Sequence, residues 1–404
     1  MGVPNLEEEA ASFLAKLCTE LPTRRTGTAG NRAATAFFAD RVSRMGWRTE
    51  CPQFDCMDWK ERGADLIAGG RSWPAQVSPF SAGGTASGPL SVASAVEELE
   101  GQDLSDAIVL LRGEIAREQL MPKEFTFYNP EEHRRIVRAL ESARPQAIVA
   151  ATGRNPDLAG ALYPFPLIED GDVHIPSVFM TDVEGDNLAQ LSSHPVTLHI
   201  RAERWSSTGC NVIARRGGGS GSRAVLFAHI DAKEGSPGAI DNAGSIAVLL
   251  LLAELPQSYA GDLGIEIVAM NGEDYYAAPG EKLWLSQNRG LLQEICLGIN
   301  LDGVGHRGGR TAYSRYGCPE SLSWRIRSVL CGYPSMIEGQ PWYQSDHSLF
   351  LAAGVPALAF TSEAFTELWS NVAHTELDRP ELVDVAQLGT TARALRDLLL
   401  KLDP

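Results

Sequence analysis

The sequence predicts an α/β protein in which a central sheet lies between layers of helices, with a small β-rich domain inserted. Three observations support this fold class. The chain has 404 residues, of which 44% are hydrophobic, enough to bury a large core. From residue 205 onward, short apolar segments alternate with amphipathic ones, as strands and helices do in a layered sandwich. Between residues 59 and 204, short strand-like segments dominate instead.

The first part of the chain, residues 1–58, is predicted to begin with two helices. Residues 5–20 and 31–46 show helical periodicity, with apolar side chains recurring every three or four positions. A turn rich in Gly and Thr, Arg24 to Asn31, separates the two helices. Residues 47–54 then alternate in polarity, as a strand does.

The second part, residues 59–204, is predicted to form a separate β-rich α/β domain. One helix is expected over Glu131–Ala143, and a polar loop over residues 153–160. Short apolar runs predict strands at residues 88–92, 107–111, 146–150 and 196–200.

The third part, residues 205–404, alternates between strands and helices. A Gly-rich turn at 217–221 lacks the Lys-Ser/Thr of a phosphate loop and is interpreted as a surface turn. The predicted strands cover residues 224–227, 264–270, 295–301 and 357–360, and the predicted helices cover 245–255, 281–288, 319–331 and 384–400.

Charge and composition limit the partners of this chain. The 35 Lys and Arg against 51 Asp and Glu give a net charge of -16, which disfavours nucleic acid and anionic membranes as partners. The longest apolar run, Ile246 to Ala253, is far shorter than the roughly 18 residues of a membrane helix. A polar amino terminus and seven scattered cysteines predict a cytoplasmic protein with free thiols. Homo-oligomer formation is left open.

Five short segments carry side chains that bind metal ions. Most of them follow predicted strands, and loops at the carboxyl ends of strands converge in an α/β sheet. Imidazoles and carboxylates together form the ligand set that suits a pair of zinc ions. The candidates are His229, Asp241, Glu273, Asp274, Asp302 and His374.

Each candidate also has an ordinary structural explanation. Asp241 could cap the helix that follows it, and Asp302 before Gly303 is a common turn pair. Glu273 and Asp274 could form a solvated acidic turn, and His374 could be a loop histidine. The combination of all five segments in this setting favours the metal site.

The motifs resemble those of the co-catalytic di-zinc aminopeptidases, metallopeptidase family 28. The resemblance covers roughly the first 55 and the last 200 residues, including the turn from Arg25 to Gly30. The region between resembles, more weakly, a protease-associated domain. The matching motifs are His229-x-Asp231, Gly238–Ala243, Asn271–Asp274, Asn300-Leu301-Asp302-x-Val304-Gly305, Ser345-Asp346-His347 and His374-Thr375-x-x-Asp378.

This resemblance implies a zinc exopeptidase fold with a mixed central sheet, and a role for each site residue. Asp241 would bridge two zinc ions per chain, and its peptide bond to Asn242 would be cis. Glu273 would be the general base, and Asp231 would hold the ring of a zinc-binding histidine. Of the other ligands, His229 and Asp302 would complete one zinc site, and Asp274 and His374 the other.

Two positions leave alternatives open. The family usually has Glu-Glu where this chain has Glu273-Asp274, so the second metal ion could be held differently, bound more weakly or replaced. Asp346 and His347 could line the substrate pocket or cap a helix beginning near Leu349.

The sequence therefore predicts a zinc-dependent exopeptidase that acts on a peptide or small amide. Within that class it favours an aminopeptidase. The acidic surroundings of Glu273 suit a substrate amine, whereas Arg307, Arg310 and Arg315 could grip a substrate carboxylate instead. The alternatives are a carboxypeptidase, an amidohydrolase acting on a small conjugate, and a single-zinc acyltransferase similar to glutaminyl cyclases.

Overall fold

The structure, a computed structural model, describes residues 5–126, 128–154, 159–218, 221–255 and 261–402. By its internal contacts the chain divides into two compact units. The first, called here the metal-site unit, combines Met1–Cys56 with Thr208–Pro404. The second, called the inserted unit, is Met57–Ser207.

The strands belong to two eight-stranded sheets, one in each unit. In chain order they are β1 Arg48–Glu50, β2 Gln53–Ala68, β3 Arg71–Trp73, β4 Gln76–Val77, β5 Gly84–Ala93, β6 Ile108–Leu111, β7 Ala147–Thr152, β8 Ser177–Thr181, β9 Pro195–Cys210, β10 Val212–Arg216, β11 Arg223–His229, β12 Gly264–Met270, β13 Ile295–Leu301, β14 Thr311–Tyr316, β15 Met336–Glu338 and β16 Ala357–Ser362.

The α-helices flank these sheets. They are α1 Leu6–Leu14, α2 Ala29–Arg44, α3 Glu131–Ala143, α4 Asp182–Ala189, α5 Gly244–Glu254, α6 Pro279–Gln287, α7 Glu320–Leu330, α8 Ser348–Ala352, α9 Phe365–Asn371 and α10 Val385–Leu402. A π-helical turn, Ala15–Glu20, extends α1, and an irregular turn with non-helical backbone at Asp241 and Asn242, Ala239–Ala243, precedes α5. Short 3₁₀ turns lie at Val96–Glu98, Gly113–Ala116, Leu292–Glu294 and Pro380–Leu382.

The sheet of the metal-site unit has the strand order β1-β10-β12-β11-β13-β16-β14-β15. Its centre, β12-β11-β13-β16, is parallel, whereas β10 pairs antiparallel with β12, and β14 with β16. The predicted α/β class with a mixed central sheet is therefore confirmed. The parallel centre matters for function because it brings several strand ends to one edge.

Helices cover both faces of this sheet. On one face, α10 packs against α1, α5 and α7, and α5 is so apolar that Ile246 to Ala253 are all buried. On the other face, the ring of Phe227 from β11 lies 4.8 Å from that of Trp284 on α6. It also stacks at 4.6 Å on Phe350 of α8. Aliphatic side chains on one face and aromatic rings on the other make β11 the centre of a three-layer core.

The inserted unit has its own sheet and core. The strand order is β3-β2-β9-β5-β6-β7-β8-β4. Strands β5 to β8 are parallel, whereas β2 pairs antiparallel with β3, β5 with β9 and β4 with β8. Helix α3 packs Ile136 and Leu140 into a cluster with Ile148 and Val109 of the sheet. Because this core is separate, the unit has its own source of stability.

The observed elements differ from the predicted ones in several places. Strand β11 continues through His229 instead of ending at Phe227, because β11 pairs with Met270 at that position. The unit boundaries also differ from the predicted 58/59 and 204/205, because the long strands β2 and β9 each run across a boundary. The sequence did not predict β14, β15 or α9. Residues 155–158 of the predicted polar loop and 219–220 of the Gly-rich turn lie outside the described residues.

The structure also bears on the cysteines and on the hydropathy of the helices. All seven cysteines have free thiols. In the part of the chain that the structure describes, no helix is both long and apolar enough to cross a membrane.

Candidate metal centre

The parallel strands deliver the candidate ligands to one edge of the sheet. His229 is the last residue of β11, and Asp302 directly follows β13. Glu273 and Asp274 follow β12 after a turn at Gly272, whose φ is +98°. A backbone bond from Asp302 N to Phe360 O, 2.9 Å long, fixes this ligand beside β16.

Asp241 lies between two histidines. Its Oδ1 is 3.0 Å from Nε2 of His229, and its Oδ2 is 3.2 Å from Nε2 of His374. Burial opposes ionisation of this carboxyl, but the two imidazoles outweigh burial and lower the pKa of Asp241. One carboxylate thus directs one oxygen at each imidazole, which is the arrangement a bridging ligand needs.

The two imidazoles each face a further carboxylate. Nε2 of His229 is 3.8 Å from Oδ1 of Asp302, and Nε2 of His374 is 3.3 Å from Oδ1 of Asp274. Asp274 therefore reaches the cluster, although its side chain is shorter than that of the Glu which the resemblance leads us to expect. His229, Asp241 and Asp274 each offer a ligand atom within 4.8 Å of the others.

Two buried carboxylate oxygens of this cluster, Oδ2 of Asp274 and Oδ1 of Asp302, have no hydrogen-bond partner among the described residues. Burying such atoms without a partner costs about 1–3 kcal/mol each. A divalent cation would satisfy them, and two nitrogens with three carboxylates are a donor set that suits zinc. The residues present therefore fit a metal site.

Asp231 lies behind His229 rather than beside Asp241. Its Oδ2 accepts hydrogen bonds from Oγ1 of Thr26 at 3.0 Å and from the backbone N of Asp274 at 3.1 Å. Its Oδ1 lies 3.7 Å from Nδ1 of His229. Asp231 thus links the loop that carries Asp274 to the ring of His229.

The sequence did not assign a role to Asp378 beyond its place in a motif. This carboxylate is fully buried and accepts hydrogen bonds from the backbone N of Ile240 at 2.7 Å and of Asp241 at 3.0 Å. Burial raises its pKa to about 7, although these two N–H groups favour the charged form. The Asp241–Asn242 bond that follows is cis, as the resemblance implies.

Glu273 is half-buried beside the cluster and belongs to a wider group of acids. Burial raises the pKa of Glu273 well above its usual value; the imidazole of His229 opposes this, and the charge of Asp274 adds to it. Two further acids of this group are affected in the same way. Burial raises the pKa of Glu281 to about 8, and it raises the pKa of Asp346 well above its usual range. A carboxyl group with a raised pKa can accept and return a proton near neutral pH.

The helix-capping explanation for Asp346 and His347 is wrong. Helix α8 begins at Ser348 without a side-chain cap bond, because His347 Nε2 instead lies 2.8 Å from the backbone O of Trp342. Asp346 is fully buried and lies against Glu281, whose charge adds to burial in raising the pKa of Asp346.

A row of aromatic rings leads from the cluster to the surface. Trp369 meets His374 at 5.6 Å between ring centroids and stacks on Phe365 at 5.1 Å. Phe365 in turn lies 5.2 Å from Trp342, next to Tyr343, whose surface is 62% exposed. Sequence periodicity gave no sign of this row, because its members come from separate loops and from the short helix α9.

The three arginines considered as a carboxylate clamp are engaged elsewhere. Arg307 donates to the backbone O of Glu381 and of Val383, at 3.2 and 2.9 Å. Arg310 pairs with Glu363 at 2.8 Å, and Arg315 pairs with Glu338. None of these partners belongs to the ligand cluster.

The fold and this cluster define the class of protein: an α/β/α sandwich with imidazoles and carboxylates buried at the ends of its parallel strands. Residues 211–399 match the model of peptidase family M28. The matched residues make up slightly less than half of the 404-residue chain, and over them the chain is similar to this family. A search of curated proteins finds no match to the chain.

Solved structures with the same fold extend over nearly the whole chain. An aminopeptidase from Aneurinibacillus sp. strain AM-1 has a TM-score of 0.76 at 18% identity, covering 97% of this chain and 92% of its own. BSAP, a zinc aminopeptidase from Bacillus subtilis, has a TM-score of 0.75 at 20% identity, covering 100% and 96%. A glutaminyl cyclase from Porphyromonas gingivalis has a TM-score of 0.54 at 14% identity, covering 99% and 100%. At these identities the likeness shows the fold.

Proposed function

We propose that this chain is a member of peptidase family M28 and a zinc-dependent aminopeptidase that holds two zinc ions per chain. The observation that carries the proposal is the position of Asp241, with one oxygen 3.0 Å from His229 and the other 3.2 Å from His374. A carboxylate that faces two separate imidazoles in this way can serve two metal ions at once. The names of two similar structures, both aminopeptidases, agree with this assignment.

The ligands divide around Asp241. His229 and Asp302 would hold one zinc ion, Asp274 and His374 would hold the other, and Asp241 would contact both. When bound, a zinc pair supplies a water with a lowered pKa and polarises the carbonyl of the scissile bond. Asp231, whose Oδ1 lies 3.7 Å from Nδ1 of His229, would hold that ring in place, as carboxylates commonly do for zinc-binding histidines.

Glu273 is proposed to move the proton. It lies beside the ligands, its carboxyl group has a raised pKa, and it is not needed to complete either ligand set. It would take one proton from the attacking water and deliver it to the nitrogen that leaves as the peptide bond breaks. The products are a free amino acid and a peptide shortened by one residue.

The choice of the amino end rests on charge. Acidic side chains surround Glu273, whereas Arg307, Arg310 and Arg315 are bonded to other groups. A substrate ammonium group can bind among carboxylates, which fixes the first peptide bond next to the base. A terminal carboxylate finds no comparable partner among these three arginines.

The test compares substrates that differ only at the amino end. With zinc supplied, we expect hydrolysis of aminoacyl anilides and of short peptides with a free amino terminus, and little hydrolysis of their acetylated forms. Mass spectrometry of the products shows which end is shortened. Equal cleavage of acetylated peptides, with residues released from the carboxyl end, would support the carboxypeptidase alternative.

A glutaminyl cyclase-like acyltransferase is the second candidate, because one similar fold carries that name. Such an enzyme would use one zinc ion and release a cyclised product without a free amine. Metal content and product mass separate the two candidates. Further proposals from the sequence are a protease-associated-like inserted unit and a cytoplasmic location.

A further inference from the structure

Arg24 is a buried arginine that the proposed reaction does not use. It belongs to the N-terminal segment, outside the residues 211–399 that match the family model, and its surface is 1% exposed. A buried guanidinium needs acceptors for its N–H groups, and Arg24 donates to four backbone carbonyls. These carbonyls belong to Leu17, Ile230, Pro237 and Gly238, at 2.7, 3.1, 2.8 and 2.9 Å.

Three of these carbonyls flank metal ligands. Ile230 directly follows His229, and Pro237 and Gly238 begin the turn that leads to Asp241. The separation in sequence is more than 200 residues, so these contacts exist only in the folded chain. One side chain therefore joins the loop after β11 to the loop that carries the proposed bridging ligand.

The fit around Arg24 is tight. Gly238 has a φ of +60°, a conformation that L side chains rarely adopt. A Cβ added there would lie 2.7 Å from Nη2 of Arg24 and 2.6 Å from the backbone O of Asp241. The guanidinium is thus in direct packing contact with the turn, and the turn has no space to shift toward it.

Asp378 holds the same turn from its other end. Its two oxygens accept from the backbone N–H groups of Ile240 and Asp241, while Arg24 binds the carbonyls of Pro237 and Gly238. The backbone that leads to Asp241 is therefore held by a cation on its carbonyl groups and by a carboxylate on its amide groups. Opposite charges on opposite groups of one turn fix both its position and its orientation.

We infer that Arg24 is a positioning residue for the metal centre, acting through the backbone next to His229 and Asp241. The inference rests on the proposed function in one respect, namely that Asp241 bridges two ions. Because a bridging ligand serves both ions, loosening its backbone lowers the affinity for both together. Residues that orient metal ligands typically contribute about 10–100-fold to metal affinity.

The test uses Arg24→Met, which keeps much of the volume but donates no hydrogen bond, and Arg24→Lys, which keeps the charge. The matched control is Arg204→Met in the inserted unit, since Arg204 also donates to backbone carbonyls, those of Gly171 and Val173 at 3.1 Å. Zinc affinity is measured by competition with a chelator, and cobalt(II)-loaded protein is examined by visible absorption. Thermal unfolding of each variant is followed in parallel.

We expect Arg24→Met to weaken both bound zinc ions by about 10–100-fold and to change the cobalt spectrum. Arg24→Lys should recover part of the affinity, and Arg204→Met should lower the unfolding temperature without changing affinity or spectrum. If Arg24→Met does not fold, the same comparison is made with Arg24→Lys, which should then show weakened zinc binding and an altered spectrum. A folded Arg24 variant with wild-type zinc affinity and an unchanged spectrum would overturn the inference, leaving Arg24 a purely structural residue. Wild-type protein that binds fewer than two ions would instead refute the proposed function.

Discussion

The two halves of the candidate metal centre are built from different kinds of backbone. On one side of Asp241, His229 ends strand β11 and Asp302 follows strand β13, and the side chain of His229 is 1% exposed. On the other side, His374 lies on a loop after α9 with a φ of +65°, and its side chain is 9% exposed. One half is thus fixed by the parallel centre of the sheet, and the other depends on a loop.

This difference predicts unequal binding of the two ions. Neighbouring strands hold the His229 half, so its ligands are in place before a metal ion binds. The His374 half needs a non-glycine residue in the left-handed region, which costs of order 1–3 kcal/mol and persists only when surrounding contacts hold it. We expect the strand-held half to bind its ion more tightly than the loop-held half.

The largest effect should come from the residue that the two halves share. Asp241→Ala removes a ligand from both ions, so we expect loss of both and of all measurable activity. Elemental analysis and an anilide assay check this result. Asp106→Ala, an exposed aspartate of the inserted unit, is the control and should leave both readings unchanged. A zinc content of two in Asp241→Ala would show that this residue is not the bridge.

The next largest effect separates proton transfer from metal binding. Glu273→Gln keeps the shape of the side chain but cannot take a proton, so activity should fall about 10²–10⁴-fold with two zinc ions retained. Metal analysis beside steady-state kinetics checks both parts. Loss of zinc in this variant would mean that the roles of Glu273 and Asp274 are reversed.

A smaller and more selective effect should distinguish the halves themselves. His374→Ala should deplete one ion and leave the strand-held ion in place after dialysis. His229→Ala should lose that ion and leave the other one weakly held. Zinc content after dialysis against a mild chelator shows which of the two ions is held more tightly. Equal depletion in the two variants would contradict the comparison of strand and loop.

The smallest effect is a dependence on pH. Burial opposes protonation of His374, but Asp274 and Asp241 outweigh it and raise its pKa in the metal-free protein to about 10. Because this exceeds the ordinary value of 6.5, His374 is protonated at pH 7.5 and must lose a proton to bind zinc. The same shift stabilises the metal-free fold below pH 6.5, and this contribution is lost as pH rises through about 10.

Calorimetry checks this prediction. Zinc binding at pH 7.5 should release protons, so the measured heat should differ between buffers of different ionisation enthalpy. Zinc affinity should also increase as the pH is raised from 7 toward 10. Identical heats in all buffers would show that His374 carries no proton before zinc binds.

The sequence was sufficient to predict those elements of the fold that depend on a local pattern of apolar residues. Apolar strands with fixed ends led directly to His229, Asp302 and Asp274, because parallel strands end at one edge of the sheet. The strands β12 and β13 and the helix α3 have the predicted bounds. These elements have the regular periodicity from which such predictions are made.

The sequence was insufficient where distant segments meet. Arg24 and Thr26 lie in or beside a turn that the sequence linked to the family without assigning a role to either residue, yet they reach Ile230 and Asp231 across more than 200 residues. The short strands β14 and β15 and the helix α9, with the half-buried ring of Trp369, depend on tertiary packing rather than on periodicity. Their contacts become visible only in the folded chain.

Asp241 is proposed to join two metal ions. The decisive experiment is a crystal of zinc-loaded protein, with diffraction recorded on both sides of the zinc absorption edge. We predict two anomalous peaks per chain, one beside each oxygen of Asp241, the first also contacting His229 and the second His374. A single peak, or two peaks of which only one contacts Asp241, would contradict the account.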